Sequence, residues 1–495
     1  MPPEPFPREP GTSRTLAWAL AAVALLAILA AFAFGELRHR PDPPVVYLGA
    51  RAAVQGADAQ AVAQLVQWQL EAAGFSVLTE RSEAGPLPAG LRGGTLVLQL
   101  RAAREEGRLR LQWRTARVSE LARLGEAAWK DSEAAGIPRN VLGDLYRQLP
   151  CPLGAAAAQA MLPLKEENFW RLVGAVQDSG DYGRIGAALD RISQLLQEEP
   201  DCTAGLFLRG DLLYRKLLVD PRSDASLRPE AEACFLRALE LSPGLPQAVF
   251  LLVQLKTDAG DQRSALTALQ YSIRLHPRGN TLLTGLGYAA RTAGLLSLAQ
   301  RALEQREELG PPELVGSGVE NTWLYLGEWD RFEASLIYEP NHPWGSVVAF
   351  YKGYLDLAKG RRGEAAVWFR RCREGAIFGQ FNRLGEVFEL ICLDRPDEAR
   401  ARLRTLAADR VSLHVPDGEF TFKLAEAFAL LGDRNEALEM ASKAFSQGFG
   451  CTRWYEQSPF LRGLQDSPRW QALLQHLQER QRLMEERFPL RSFLP

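Results

Sequence analysis

The chain has 495 residues, more than one hydrophobic core accommodates at roughly 100–200 residues per domain. Hydrophobic residues at 46% and charged residues at 24% exclude a globally disordered polymer, and 58 basic against 60 acidic residues, a net charge of −2, exclude a general attraction for nucleic acid or anionic lipid. Six cysteines without a C-x-x-C pair exclude a zinc-finger or thioredoxin-like motif.

Residues 1–14 form a proline-rich tail that reads as flexible. A transmembrane helix is expected over 15–35: Leu16 to Phe34 carries no charge, and at 1.5 Å per residue it spans about 30 Å of hydrocarbon. The competing reading is a cleaved signal, with Arg8 and Arg14 as its basic start and Ala31-Phe32-Ala33 as its cleavage pattern. The apolar run is longer than a signal needs and continues through that site, which favours an anchor. Arg8 and Arg14 on one side are matched by Arg38, Arg40 and Arg51 on the other, so charge does not orient the span. A short tail before a first apolar segment predicts a cytosolic tail and an exported remainder. With the bias towards Ala, Leu, Arg and Gly, the expectation is a single-pass protein of a bacterial inner membrane with a periplasmic soluble region. Pro41 to Pro44 is a stiff spacer.

A small α/β domain is expected over 44–150. Val45 to Gly49 reads as a strand, Asp58 to Ala73 as a helix with Val62, Leu65, Val66 and Leu70 on one face, and Gly74 as its terminator. Phe75–Thr79, Thr95–Leu100 and Leu109–Trp113 read as further strands, with a turn at Glu105-Glu106-Gly107 between the last two. A fifth strand is expected near Ala122 to Lys130 and a closing helix from Asn140 to Leu149. This element order resembles the amino-terminal domain of TolB. The turn after the first strand departs from that family, since this chain has Tyr47-Leu48-Gly49-Ala50 there.

From 166 to 450 small residues and prolines recur in phase. In one window Gly260-Asp261 forms a turn, followed by Ala265, Leu269 and Pro277; in the next Leu283, Leu286 and Gly287 precede Gly294, Ala299, Leu303 and Pro311. Ala231, Phe235, Ala238 and Pro243 repeat the pattern upstream, after an insertion over Asp220 to Arg228. Gly353, Gly360, Ala365, Phe369 and Cys372, and then Gly432-Asp433, Ala437, Ala441 and Ala444, repeat it downstream. Weaker matches lie at Glu166–Pro200, Glu313–Pro340 and Phe378–Asp409. The period and these residue types resemble tetratricopeptide repeats, helical hairpins of 34 residues. The resemblance implies a mainly α fold, an α-solenoid of about eight units behind the small α/β domain. Residues 451–495, with Trp454-Tyr455, Pro459-Phe460-Leu461 and Trp470 before a polar amphipathic helix, read as a terminal cap.

The combination resembles the ectodomain of bacterial one-component regulators without their winged-helix domain, because only about 14 residues precede the apolar run. Regulator or kinase activity is therefore not carried over.

The resemblance places certain first-helix positions on an inner groove: Phe207, Asp211, Tyr214 and Arg215, then Phe250, Gln254 and Asp258, then Tyr288 and Arg291, then Phe350 and Tyr354, then Phe422 and Glu426. Phe207, Asp211, Tyr214, Phe250, Gln254, Tyr288, Arg291, Phe350, Tyr354 and Phe422 are the candidate peptide-binding residues. The plainer reading is that the four phenylalanines pack between neighbouring helices.

No catalytic, cofactor or metal site is expected. His39, His276, His342, His414 and His476 lack ligand spacing; Gly285-Leu286-Gly287 and Gly316-Ser317-Gly318 lack the strand and continuation of a phosphate loop. Cys234, Cys372 and Cys392 read as core, while an oxidising compartment would permit a Cys151–Cys202 bridge. The expected function is a non-catalytic membrane-anchored scaffold binding an envelope protein or peptide. The alternative is a ligand-sensing ectodomain signalling to a cytosolic partner, for which Ala17, Ala21, Ala24 and Ala31 offer a helix-packing face.

Overall fold

The computed structural model describes residues 45–50, 57–73, 75–79, 96–105, 108–117, 130–133, 161–163, 165–219, 224–243, 245–276, 279–309, 320–340, 345–375, 379–410 and 413–494. The expected tail, membrane span, spacer, Gly74, the 106–107 turn, the 140–149 helix, Cys151, Pro277 and Pro311 lie outside them. Among the described residues no helix is long and apolar enough to cross a membrane.

The first elements are a mixed five-stranded sheet in the order β2-β1-β3-β4-β5. Strand β1 (Val45–Ala50) leads through α1 (Ala57–Ala72) to β2 (Ser76–Thr79), which lies parallel beside it with Val46 opposite Val77. β3 (Leu96–Glu105) lies parallel on the other side of β1, with Tyr47 opposite Val97. A hairpin then pairs β3 with β4 (Arg108–Arg117), Leu100 opposite Trp113. β3 outruns the apolar stretch Thr95–Leu100 because the ladder continues through Arg101 to Glu105 against β4. The fifth strand is β5 (Lys130–Glu133), beyond the segment expected for it; its polar residues pair with Arg110 to Trp113 at the sheet edge.

From Glu166 onward the chain is a succession of helical hairpins, as in an α-solenoid: α2 (Glu166–Ser179) with α3 (Ile185–Glu198), α4 (Thr203–Val219) with α5 (Leu227–Leu241), α6 (Pro246–Asp258) with α7 (Gln262–Leu275), and α8 (Asn280–Ala293) with α9 (Leu296–Leu309). Two short helices, α10 (Asn321–Leu326) and α11 (Trp329–Ser335), form the next hairpin. Then come α12 (Gly345–Ala358) with α13 (Arg362–Glu374), α14 (Gly379–Cys392) with α15 (Pro396–Asp409), and α16 (Gly418–Leu430) with α17 (Arg434–Ser446). The chain ends in α18 (Thr452–Gln457) and α19 (Pro468–Arg487).

One device ends the first helix in six successive hairpins. Gly260, Gly294, Gly327, Gly360, Asp394 and Gly432 all have positive φ, between 57° and 89°. Each donates its N–H three residues back, and the next residue donates five back, as Asp261 does to Lys256 O at 2.8 Å and Arg395 to Leu390 O at 3.0 Å. This is a Schellman ending, in which a left-handed residue returns the chain against its own helix. Within a hairpin, small residues admit large ones: a Cβ on Gly210 would stand 2.6 Å from the Phe235 ring, and one on Gly353 3.0 Å from Phe369.

The core does not stop at the sheet. Val62, Leu65 and Leu70 of α1 share a buried cluster with Leu172, Ile192 and Phe207, and Trp68 meets the Phe207 ring edge-on at 4.6 Å. Nor does the array stay open. The Asp417 amide donates to Asp258 O at 2.9 Å and the Gly450 amide to Thr292 O at 2.7 Å. Arg480 on α19 reaches Gln262 Oε1 at 3.1 Å, and Met484, Phe488, Phe493 and Leu494 pack with Val253, Leu286 and Ala299. The terminal segment thus covers the last hairpin, where the Tyr455 hydroxyl donates to Ala441 O, and also the α6–α9 hairpins.

Candidate functional site

This closure puts the groove positions indoors. Phe207, Asp211, Tyr214, Arg291, Phe350, Tyr354 and Phe422 are buried, while Phe250, Gln254 and Tyr288 are half-buried. Packing explains the phenylalanines: Phe350 lies against Phe369 and Phe388, Phe422 against Phe449 and Tyr455, and Phe250 under Gly285. The ten residues therefore do not form a solvent-facing strip, because α14 to α18 close over the concave side. The polar members instead build a buried network.

Three carboxylates organise it. Asp258, at the end of α6, accepts hydrogen bonds from the Tyr214 hydroxyl and, at 2.5 Å, from the Tyr288 hydroxyl. Glu419, in the first turn of α16, accepts from Tyr325 at 2.5 Å and from Asn321 at 2.8 Å, and pairs with Arg291 at 2.5 Å. Glu426, two turns further along α16, accepts from Tyr354 at 2.6 Å, Ser458 at 2.7 Å and Trp454 at 3.2 Å, with Lys423 Nζ at 3.2 Å from its other oxygen. Lys423 also lies 4.1 Å from the Tyr354 ring centroid, so the cation has an aromatic face as well as a carboxylate.

Asp417 adds a fourth carboxylate between these. As the N-cap of α16, with φ 48°, it accepts through its side chain from the amides of Glu419 and Phe420 at 3.1 and 3.2 Å. Burial, and then the repulsion of Asp417, push Asp258 above the usual carboxylate range; burial, and then Glu419, do the same to Asp417. Glu419 is shifted the other way, because Arg291 and its hydroxyl and amide donors outweigh its burial. These groups were partly legible: Asp258, Tyr214, Tyr288, Arg291, Tyr354 and Glu426 belong to the expected inner positions. Asp417, Glu419, Asn321 and Tyr325 were not, since their partners lie far off in sequence, Glu419 meeting Arg291 across 128 residues and Asp417 meeting Asp258 across still more.

The outer face of α13 offers a different surface. Its Ala365, Phe369 and Cys372 point into the core, leaving Val367, Trp368 and Arg371 outside. Val367 is 49% exposed and Ile337, from the loop after α11, 45% exposed. Trp368 and Tyr338, half-buried beside them, meet edge to face at 5.2 Å. Arg371 lies 4.4 Å from the Trp368 centroid and 5.8 Å from that of Tyr338, and Lys352 Nζ 5.3 Å from Trp368. Neighbouring Arg370 and Arg373 are both taken by the buried Glu389 at 2.9 Å, whereas Arg371 has aromatic partners alone among the described residues and Lys352 also acts electrostatically on Glu333.

The thiols take no part in either site. Cys202, Cys234, Cys372, Cys392 and Cys451 are free, so Cys202 forms no bridge. Its sulfur faces Met161 O at 3.7 Å, and burial raises its pKa to about 12, an inert thiol. Among the described residues no group of three or more His, Cys, Asp or Glu side chains is placed to hold a metal ion.

Compared with protein-family models and with curated proteins, the sequence matches none significantly.

Proposed function

We propose that this chain is a non-catalytic, tetratricopeptide-type docking scaffold, anchored to a bacterial inner membrane by residues 15–35 with its soluble region exported, and spaced from that anchor by a TolB-like sheet unit. The partner is an acidic segment of another envelope protein that carries an apolar or aromatic residue. The observation that carries this reading is the outer face of α13. Two exposed aliphatic side chains there adjoin an aromatic pair flanked by Lys352 and by Arg371, the latter in no ion pair with a described carboxylate. Aromatic rings next to arginine are the chemistry enriched at binding hot spots. Support for the repeat assignment comes from the left-handed turn residues, which recur every 33 to 38 positions between Gly260 and Gly432.

Binding of synthetic acidic peptides bearing one tryptophan or phenylalanine, followed by NMR chemical-shift changes or calorimetry, tests the proposal. The pair of substitutions Trp368→Ala and Arg371→Glu should weaken it at least about tenfold, the 1.4 kcal/mol scale of one hot-spot contact. Equal binding by the variant, or equal binding by lysine-rich peptides, contradicts it.

A further inference from the structure

We propose that the buried face shared by α6 to α9 is a docking seat for a short amphipathic helix, filled in cis by this chain's own C-terminal segment. A partner helix that repeats the segment's pattern, a basic residue with apolar side chains four and eight positions later, takes its place. The seat uses none of the α13 residues, and the inference does not rest on the reading of that face.

The basis is that α19 straddles two cores. Its first half, with Trp470, Leu473, Leu474 and Leu477, is buried in the cluster that holds Ala441, Phe449 and Tyr455 of the last hairpin and α18. A terminal cap needs no more than this. Further along, the helix leaves that cluster: Met484 and Phe488, and then Phe493 and Leu494 beyond its end, are buried instead with Val253, Leu286 and Ala299 of hairpins far earlier in the chain. Arg480, Met484 and Phe488 follow one another at four-residue spacing and so share one stripe of α19. The receiving cluster is rich in alanine, with Ala289, Ala293, Ala299 and Ala302 in it, which leaves room for two rings and a thioether. Apolar anchors at that spacing in such a seat are the arrangement by which a groove takes an amphipathic helix.

The way the segment is held makes it removable. Its backbone is bonded internally: the Phe488 amide donates to Met484 O at 2.8 Å, Ser492 to Pro489 O at 2.9 Å, and Phe493 and Leu494 to Leu490 O, each at 3.1 Å. Its polar tie is Arg480, which donates to Phe445 O at 2.9 Å, Gly448 O at 2.7 Å and Gln262 Oε1 at 3.1 Å. All three acceptors are neutral, and the two carbonyls lie at the end of α17, where a cation is favoured. Departure of the segment therefore strands no buried countercharge, whereas separating Arg291 from Glu419 would. Nor does departure undo the closure: the Gly450 amide still bonds Thr292 O, and the chain there runs so close to the α8 turn that a Cβ on Gly294 would stand 2.3 Å from Gly450 O. What departure exposes is a contiguous apolar surface, the kind that recruits a partner.

A labelled synthetic peptide with the sequence of residues 478–494 tests this by fluorescence anisotropy against the full chain. Phe488→Ala together with Phe493→Ala removes both rings from the seat, so the peptide should bind this variant at least about tenfold tighter than the unmodified chain, whose seat is occupied. Equal affinity, or no binding to either, would overturn the seat. The unmodified chain, isotope-labelled, supplies a second readout that does not depend on the variant folding. Excess peptide should lower the hydrogen-exchange protection of the chain's own 484–494 amides at least about tenfold, while the Gly450 amide keeps its protection. Unchanged protection over 484–494 would mean that the segment is a fixed part of the core and would refute the proposal.

Discussion

Glu419 shows what a single buried group does here. Its oxygens take Arg291, Asn321 and Tyr325, three side chains from two other hairpins. Glu419→Ala would strand the Arg291 guanidinium in a site without solvent, and truncating one member of a buried pair typically costs about 3–5 kcal/mol. Replacing Glu419 by Gln together with Arg291 by Met should cost clearly less, because no charge is then left unpaired; equal losses in denaturant titration would count against the network as drawn. Gly210 makes a steric counterpart. With the Phe235 ring 2.6 Å from where a Cβ would stand, Gly210→Val should cost about 1–3 kcal/mol by overpacking. The residue types at these points were readable in the sequence: Phe235 and Gly353 carry the repeat pattern, and Tyr214, Tyr288 and Arg291 are inner positions. Their environment was not, since burial of the inner face depends on which distant hairpin arrives opposite, and nothing local to Tyr214 encodes the arrival of Asp417.

At the scale of elements, the helical turns are the most legible feature. Gly260, Gly294, Gly360 and Gly432 stand out because a left-handed helix ending disfavours a Cβ. Asp394 occupies the same place with φ 57°, and an aspartate gives no such signal in the sequence. Asp394→Gly should therefore raise the melting temperature, relieving about 1 kcal/mol of backbone strain, whereas Gly327→Ala should lower it by a similar amount. The weak 313–340 match becomes the short α10–α11 hairpin, which keeps the turn through Gly327 while shortening both helices. In the sheet, apolar alternation marks β1 and β2 well. It misses the ends of β3 and β5, where polar residues are held by ladder pairing.

Over the whole molecule, the difference between a repeat pattern and a repeat groove is closure. Local spacing dictates hairpins, but the sum of small rotations between them decides whether the concave side stays open. Here the return of α14 to α18 onto the first hairpins fills it with rings and paired charges, and the proposed docking function moves to the convex face of α13. Export is a separate claim: alkaline phosphatase fused after Pro495 should be active, and an inactive fusion would reverse the proposed orientation. The closed array itself is tested most directly by hydrogen exchange at about pH 5 of the two amides that bond across it, Asp417 to Asp258 O and Gly450 to Thr292 O. Closure predicts protection comparable to the centres of α16 and α8; exchange at the rate of an exposed loop at both positions would mean that the groove is open and the interior network does not form.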